Sequence, residues 1–369
     1  MRCAPIFTSL HNSNTGSSIE VVDAVVNFSF TKELDQSIYR VHRKIIEAIE
    51  WSDAVFLGAE FFFLTRFISN KPIIGVPIGF EFSRWNEKES NQDSRDFYRA
   101  AAACDAYIFP KHAMSVEKSG SIADFFIRLG LENKLLDLPF MPIDFDLSEL
   151  ITKSLAHTPK HQIEGRYIFY VGRINTVSDM VADNKGWRLL FAALPLVVSQ
   201  FKKHFIRLTV VVRDQMTADA LRALPSEVRK ILVPLNSDHP SDLGYHDFLH
   251  VCKNSLGVIE NCGVASAAGL AAADALSLGK PIMTVIGRGN YEEQQLQNII
   301  YDVANVQRPE EIASMLEKLL LNVSSDPPPD QDFREMIERS SGFFSARQFA
   351  HVLEKELQAL ITKNSVFTT

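Results

Sequence analysis

The sequence predicts an α/β protein of two domains, each built on a parallel sheet with helices on both faces. Three observations predict it. The chain has 369 residues, more than a single hydrophobic core usually organises. Short, near-continuous apolar runs, of which Tyr167–Val171 and Ile206–Val212 are the clearest, have the composition of strands buried on both sides. Segments with helical periodicity alternate with these runs, the order that yields parallel sheets.

The second half reads most plainly. Strand Tyr167–Val171 is bounded by Gly172, and helix Gly186–Phe201 carries Leu189, Leu190, Ala193, Leu194, Val197 and Val198 at helical spacing. Strand Ile206–Val212, helix Ala218–Leu224 and strand Ile231–Leu235 follow. Helix Asp242–Cys252 has Ser241 or Asp242 as its candidate N-cap, since a short polar side chain can accept from the first free N–H groups. Next come strand Ser255–Ile259 and the Ala-rich helix Ser266–Leu278, stopped by Gly279 and Pro281. Strand Pro281–Ile286, helix Glu292–Ile300, strand Tyr301–Val303 and helix Pro309–Leu321 complete the series, before the breaker Pro327–Pro329.

The first half repeats the alternation less regularly. Strands are expected at Ile19–Val26, Ala54–Leu57, Lys71–Val76, Ala106–Phe109 and Leu135–Leu138, and helices at Ile38–Ile49, Phe61–Ile68, Arg95–Ala103 and Ser121–Leu129. The polar stretch Thr158–Glu164 is the expected boundary. It divides an N-terminal domain, residues 1–160, from a C-terminal domain, residues 165–340, with a last helix over 346–360 that can pack back on the first domain.

Composition narrows the function. A net charge of −7 argues against a general nucleic-acid binder. The four cysteines are scattered, without the spacing of a metal site or a disulfide framework. No signal peptide and no run of membrane-spanning length is visible. A cytoplasmic enzyme without a bound metal or cofactor is the resulting expectation.

Three stretches carry a resemblance. The first is Tyr170-Val-Gly-Arg173, followed by Lys185-Gly186 at the start of a helix. The second is Gly269-Leu-Ala-Ala-Ala-Asp-Ala-Leu-Ser-Leu-Gly-Lys-Pro281. The third runs from Ala103-Cys-Asp-Ala-Tyr-Ile-Phe109 through Phe126-Ile-Arg-Leu-Gly130 to Met141-Pro-Ile-Asp144. In this order they resemble the GT-B glycosyltransferases of the large retaining family (family four, or group 1) that includes sucrose synthases and many lipopolysaccharide and phosphatidylinositol mannosyltransferases. The resemblance implies two Rossmann-like domains whose parallel sheets face a cleft.

It also implies a donor site in the second domain. Gly172 and Arg173 form the turn after a strand, and Arg173 and Lys185 bind the donor diphosphate. Two fixed cations can stabilise the charge that develops on a leaving nucleoside diphosphate, and the helix start at Lys185-Gly186 adds favourable partial charge. Gly269, Ala275, Gly279 and Pro281 fall on the family's second motif, and Leu270 beside Gly269 is counted with the donor-binding residues. Asp274 stands where the family has the glutamate that holds the ribose hydroxyls, and Ser266 stands where a first glutamate contacts the sugar. Glu260, at a strand end before Asn261, is the nearest other carboxylate. Arg213, ending a strand beside Asp214, can supplement Arg173 at the diphosphate or pair with Asp214.

The sequence departs from the family pattern in three further places. Eleven residues separate Arg173 from Lys185, more than the family usually has. On the acceptor side, Gly79 and Glu81 match in kind, but Ile78 replaces the usual histidine, which leaves Glu81 and His112 as candidates for acceptor binding or proton transfer. Only 52 residues precede Asp53, which leaves two readings open: a sequence that begins late, or an acceptor domain reduced at its start.

The expected activity is transfer of a hexosyl unit from a nucleotide-diphosphate sugar, a co-substrate and the only small-molecule partner expected beside the acceptor, to a hydroxyl on a saccharide or lipid-linked saccharide, with retention as the family implies. Phe61–Phe63 and Phe67 leave open a peripheral contact with the inner membrane face, core packing being the alternative. The rival readings are a GT-B protein that binds a nucleotide sugar or a partner without turnover, and a sugar-nucleotide epimerase.

Overall fold

The structure is a computed structural model. It describes residues 49–58, 62, 64–65, 68, 71–77, 92–109, 122–136, 138, 143–144, 146–147, 149–172, 174, 185–236, 238–262, 270–285, 299–303, 306, 308–324 and 346–366. The expected strand at Ile19–Val26, nearly all of the helix at Ile38–Ile49, half of that at Phe61–Ile68 and most of that at Glu292–Ile300 lie outside these residues. The chain divides into two compact units. One takes in Met1–Phe109, Ser119–Leu138 and His351–Thr369, and the other Pro110–Lys118 and Pro139–Ala350.

In the first unit, strands β1 (Val55–Gly58), β2 (Ile73–Val76) and β3 (Ala106–Tyr107) form a parallel sheet in the order β1-β2-β3. Helix α1 spans Gln92–Ala102 and α2 spans Ile122–Leu129. Gly130 ends α2 at φ 62°, a left-handed conformation that glycine adopts without steric cost. The core is aromatic. Phe62 meets Phe97 edge to face at 5.9 Å, and Tyr107 meets Phe126 at 4.9 Å. Phe62 is fully buried, so this member of the Phe61–Phe63 cluster packs inward. Of the strand expected at Leu135–Leu138, within which Asp137 lies outside the described residues, the described part shows one parallel bridge, between Leu135 and Tyr107.

The second unit begins with helix α3 (Glu149–Ala156). Six parallel strands follow: β4 (Arg166–Tyr170), β5 (Ile206–Val211), β6 (Leu232–Leu235), β7 (Gly257–Ile259), β8 (Ile282–Thr284) and β9 (Ile300–Asp302). The helices between and after them are α4 (Trp187–Lys203), α5 (Gln215–Arg222), α6 (Ser226–Arg229), α7 (Tyr245–Asn254), α8 (Leu270–Ser277) and α9 (Pro309–Ser324). The last helix, α10, spans Ala346–Val366.

Alternate side chains of β4 supply two cores, because successive residues of a strand point to opposite faces. Ile168 and Tyr170 pack with Leu190, Leu194 and Val197 of α4 and Leu316 and Leu319 of α9. Tyr167 and Phe169 pack with Val251 and Cys252 of α7 and Ala272, Ala275 and Leu276 of α8. A strand covered on both sides must be apolar throughout, which explains the uninterrupted run in the sequence.

The spatial order is β6-β5-β4-β7-β8-β9. Counted within this sheet, the order is 3-2-1-4-5-6, the doubly-wound arrangement in which the winding reverses between the first and fourth strands. That point falls between β4 and β7. In such sheets, ligands bind beyond the carboxyl ends of the strands at this reversal.

Candidate functional site

Two groups of polar residues lie beyond the carboxyl ends of the strands, one of them at the reversal itself. A further pair joins α7 to α8.

The first centres on Lys185. Glu260 directly follows β7, and its N–H donates to the Met283 carbonyl of β8 at 2.9 Å, extending the ladder by one step. Its carboxylate is buried and doubly engaged. Oε1 accepts from the Lys185 ammonium, and Oε2 accepts from the Thr284 hydroxyl at 2.6 Å. The Lys185 backbone is fixed as well, because the Cys262 N–H donates to its carbonyl at 2.9 Å. The Lys185 side chain is 23% exposed and that of Glu260 3%. The ammonium therefore has one N–H directed to a buried carboxylate, on a side chain that is partly exposed.

Gly186, next in the chain, adopts φ 63° and is the N-cap of α4. It has no side chain to satisfy the first free N–H groups of the helix, and the first turn contains no acidic residue. The positive end of a 17-residue helix thus lies beside an ammonium, an arrangement suited to an anion.

Arg213 anchors the second group, after β5. Its Nη1 pairs with Asp242 at 2.8 Å and its Nη2 donates to the Val171 carbonyl at 3.3 Å. It does not take Asp214 as partner: Asp214 is the N-cap of α5 and accepts from the Thr217 N–H at 2.7 Å. The N-cap expected for the helix after β6 is also corrected. Gly244 holds that position in place of Ser241 or Asp242, and α7 starts at Tyr245. Asp242 is engaged by Arg213, and the Ser241 N–H donates to the Val212 carbonyl at 3.1 Å.

Asp274, one turn into α8, accepts from the Tyr245 hydroxyl at 3.2 Å. Burial, and the nearby Asp144 carboxylate after it, push its carboxyl up to about 6, while the Tyr245 hydrogen bond pulls the other way. Asp144 is tied to the same helix, its N–H donating to Ser277 Oγ at 2.8 Å. The tyrosine hydroxyl is raised in turn, first by burial and then by the Asp274 charge.

Gly172 owes its identity to Tyr170. A Cβ on Gly172 would approach Cε2 of the buried Tyr170 ring to 2.6 Å. The turn after β4 can therefore follow this path only without a side chain.

Comparison with solved structures fits this architecture. HepE of Anabaena, solved in complex with UDP, matches with a TM-score of 0.51 at 13% identity, over 91% of this chain and 86% of its own. Sucrose-phosphate synthase of Thermosynechococcus elongatus matches with a TM-score of 0.51 at 11% identity, over 91% and 81%. A protein of Listeria monocytogenes assigned as a UDP-N-acetylglucosamine 2-epimerase matches with a TM-score of 0.50 at 13% identity, over 93% and 84%. The fold is GT-B. No protein-family model matches the chain, and no curated protein matches it by sequence.

Within this GT-B chain the structure describes four of the residues singled out in the sequence for the donor side: Gly172, Lys185, Arg213 and Asp274. All four belong to the second unit. For Leu270 only its place at the start of α8 is described. Arg173, Ser266, Gly269, Gly79, Glu81 and His112 lie outside the described residues. Among the described residues, no group of three or more His, Cys, Asp or Glu side chains could hold a metal ion. No helix among them is long and apolar enough to cross a membrane.

Sequence reasoning missed Thr284 and Tyr245. Thr284 had a faint signal, a hydroxyl closing the apolar run Ile282–Met283 at a strand end. Tyr245 had none, because its role depends on α7 packing beside α8.

Proposed function

We propose that the chain is a nucleotide-sugar-dependent glycosyltransferase, moving a hexosyl unit from a nucleotide-diphosphate sugar to the hydroxyl of a saccharide or lipid-linked saccharide, with retention at the anomeric carbon. The observation that carries the reading is Lys185. It lies at the reversal of the sheet directly before Gly186, the N-cap of α4, with its backbone held by Cys262 and its ammonium held by Glu260.

Chemically, charge develops on the diphosphate as its bond to the sugar breaks. On this reading, Lys185, Arg173 and the α4 N-terminus stabilise that charge, and the acceptor hydroxyl enters from the face the diphosphate leaves. Asp274 accepts the ribose hydroxyls, and Leu270 and Gly269 are proposed as donor-side residues. Glu81 and His112 are the proposed acceptor-side groups. The complex of HepE with UDP supports UDP as the first nucleotide to try.

The test has two stages. Thermal-shift titration with UDP, GDP and ADP should single out one nucleoside diphosphate. Nucleotide sugars of that base, incubated with and without saccharide acceptors, should then be consumed faster with acceptor present. If none of the three nucleotides shifts the melting temperature, the reading fails.

One observation favours a second reading, binding without turnover: Glu260 already neutralises the Lys185 ammonium. Donor binding with no consumption across a broad panel would select it. Interconversion of the donor sugar with no acceptor would instead select an epimerase.

A further inference from the structure

We infer that Glu260 and Thr284 form a positioning pair for Lys185, so that diphosphate recognition depends on a carboxylate that never touches the ligand. This rests on the reading of Lys185 as a diphosphate ligand and adds two residues to it.

A lysine side chain has four rotatable bonds and a compact, strongly hydrated charge. Left to itself it samples many rotamers, and ordering it on an anion costs side-chain entropy. Here that ordering precedes the ligand. The Lys185 carbonyl is fixed by the Cys262 N–H at 2.9 Å and its ammonium by Glu260 Oε1. The far oxygen of Glu260 is fixed by the Thr284 hydroxyl at 2.6 Å, on a fully buried threonine. The carboxylate thus has a single orientation, imposed by two adjacent strand ends.

The burial of Glu260 is the argument for a purpose beyond stability. A carboxylate withdrawn from water loses more solvation than one ion pair restores, and an apolar residue in such a place is often as stable or more so. Its lysine partner is not withdrawn to the same degree, keeping 23% of its side chain exposed. The pair is therefore buried at the carboxylate, while the lysine side chain keeps part of its surface exposed. A pair serving only to join the strands would gain nothing from that asymmetry.

The test compares nucleoside diphosphate with nucleoside in parallel pairs: UDP with uridine, GDP with guanosine, and ADP with adenosine. Glu260→Gln should weaken the bound diphosphate by about tenfold and leave its nucleoside unchanged. The double variant with Lys185→Ala should be no weaker than Lys185→Ala alone, since both act through one ammonium. Thr284→Val should weaken the diphosphate by a smaller factor, and Thr284→Ser should restore it. If Glu260→Gln fails to fold, the Thr284 variants decide.

Three results overturn the inference while leaving the site intact. Lys185→Ala weakens the diphosphate, but folded Glu260→Gln, or Thr284→Val in its place, matches the wild type. Glu260→Gln binds the diphosphate more tightly, meaning that the carboxylate repels the anion. Diphosphate and nucleoside weaken equally, as a structural lesion would produce. If Lys185→Ala itself changes nothing in any pair, the reading of Lys185 falls first, and the positioning pair falls with it.

Discussion

The Tyr245 hydroxyl donates to the Asp274 carboxylate at 3.2 Å, joining the first residue of α7 to the middle of α8. Burial raises this carboxyl from 3.8 to about 6, so the folded protein holds a proton there that the unfolded chain releases. Asp274 therefore favours the folded state more as pH falls from about 6 toward 4, and withdraws that contribution as pH rises through the same window. Two units correspond to about 2–3 kcal/mol. Asp274→Asn has no such charge to bury. Its melting temperature, relative to wild type, should be higher at pH 7.5 than at pH 4.5. A constant difference would refute the assignment.

Tyr245→Phe should move that window. The hydroxyl stabilises the charged form, so its loss raises the Asp274 pKa further. The pH-dependent part of the melting curve should shift upward, as followed by calorimetry across pH 4 to 8. A downward shift would mean that the tyrosine bonds the neutral acid.

Lys185→Ala removes the ammonium at the sheet reversal. Loss of one charged hydrogen bond should weaken nucleoside diphosphate binding by about 1–3 kcal/mol, or roughly fivefold to 150-fold. Isothermal titration with the nucleotide selected by thermal shift measures it directly. Arg173→Ala should fall in the same range, and unchanged affinity in both would exclude this edge as the diphosphate site.

Arg213 is tied to Asp242 and to the Val171 carbonyl. The Arg213 side chain is 25% exposed and that of Asp242 55%, so screening by water limits what the pair contributes. A double-mutant cycle with Arg213→Ala and Asp242→Ala should give a coupling of about 0.2–1 kcal/mol in urea unfolding. Coupling near zero would show that the pair does not hold the loop before α7.

Gly172→Ala should destabilise the second unit by about 1–3 kcal/mol, because the new methyl meets the Tyr170 ring in a packed core. Chemical denaturation reads the loss. An unaltered midpoint would mean that the ring moves aside freely.

Much of the second unit was legible because local rules and global burial agree there. The apolar run at Tyr167–Val171 can only be a covered strand. Gly279, at φ 69°, ends the Ala-rich helix as its position before Pro281 predicts. Polar segments were less legible. Ser241 and Asp242 both suit an N-cap, yet Gly244 takes the role. A polar side chain bonds to the best partner within reach, and for Asp242 that partner is Arg213, from another strand. In the first unit, the run at Leu135–Leu138 has strand composition, but among the described residues it pairs with the sheet through a single bridge, Leu135 to Tyr107.

By itself the sequence determined the alternation of strands and helices, the glycine at position 172 and the charged residue types available for an anion. Periodicity, chain stops and residue chemistry are local properties. Tertiary structure decided the order β6-β5-β4-β7-β8-β9 and hence which strand ends meet at the reversal. It also decided that Lys185 faces Glu260 across 75 residues of chain. Pairing between strands depends on how the whole sheet buries its two faces, so no local pattern could assign Glu260 to that lysine rather than to solvent.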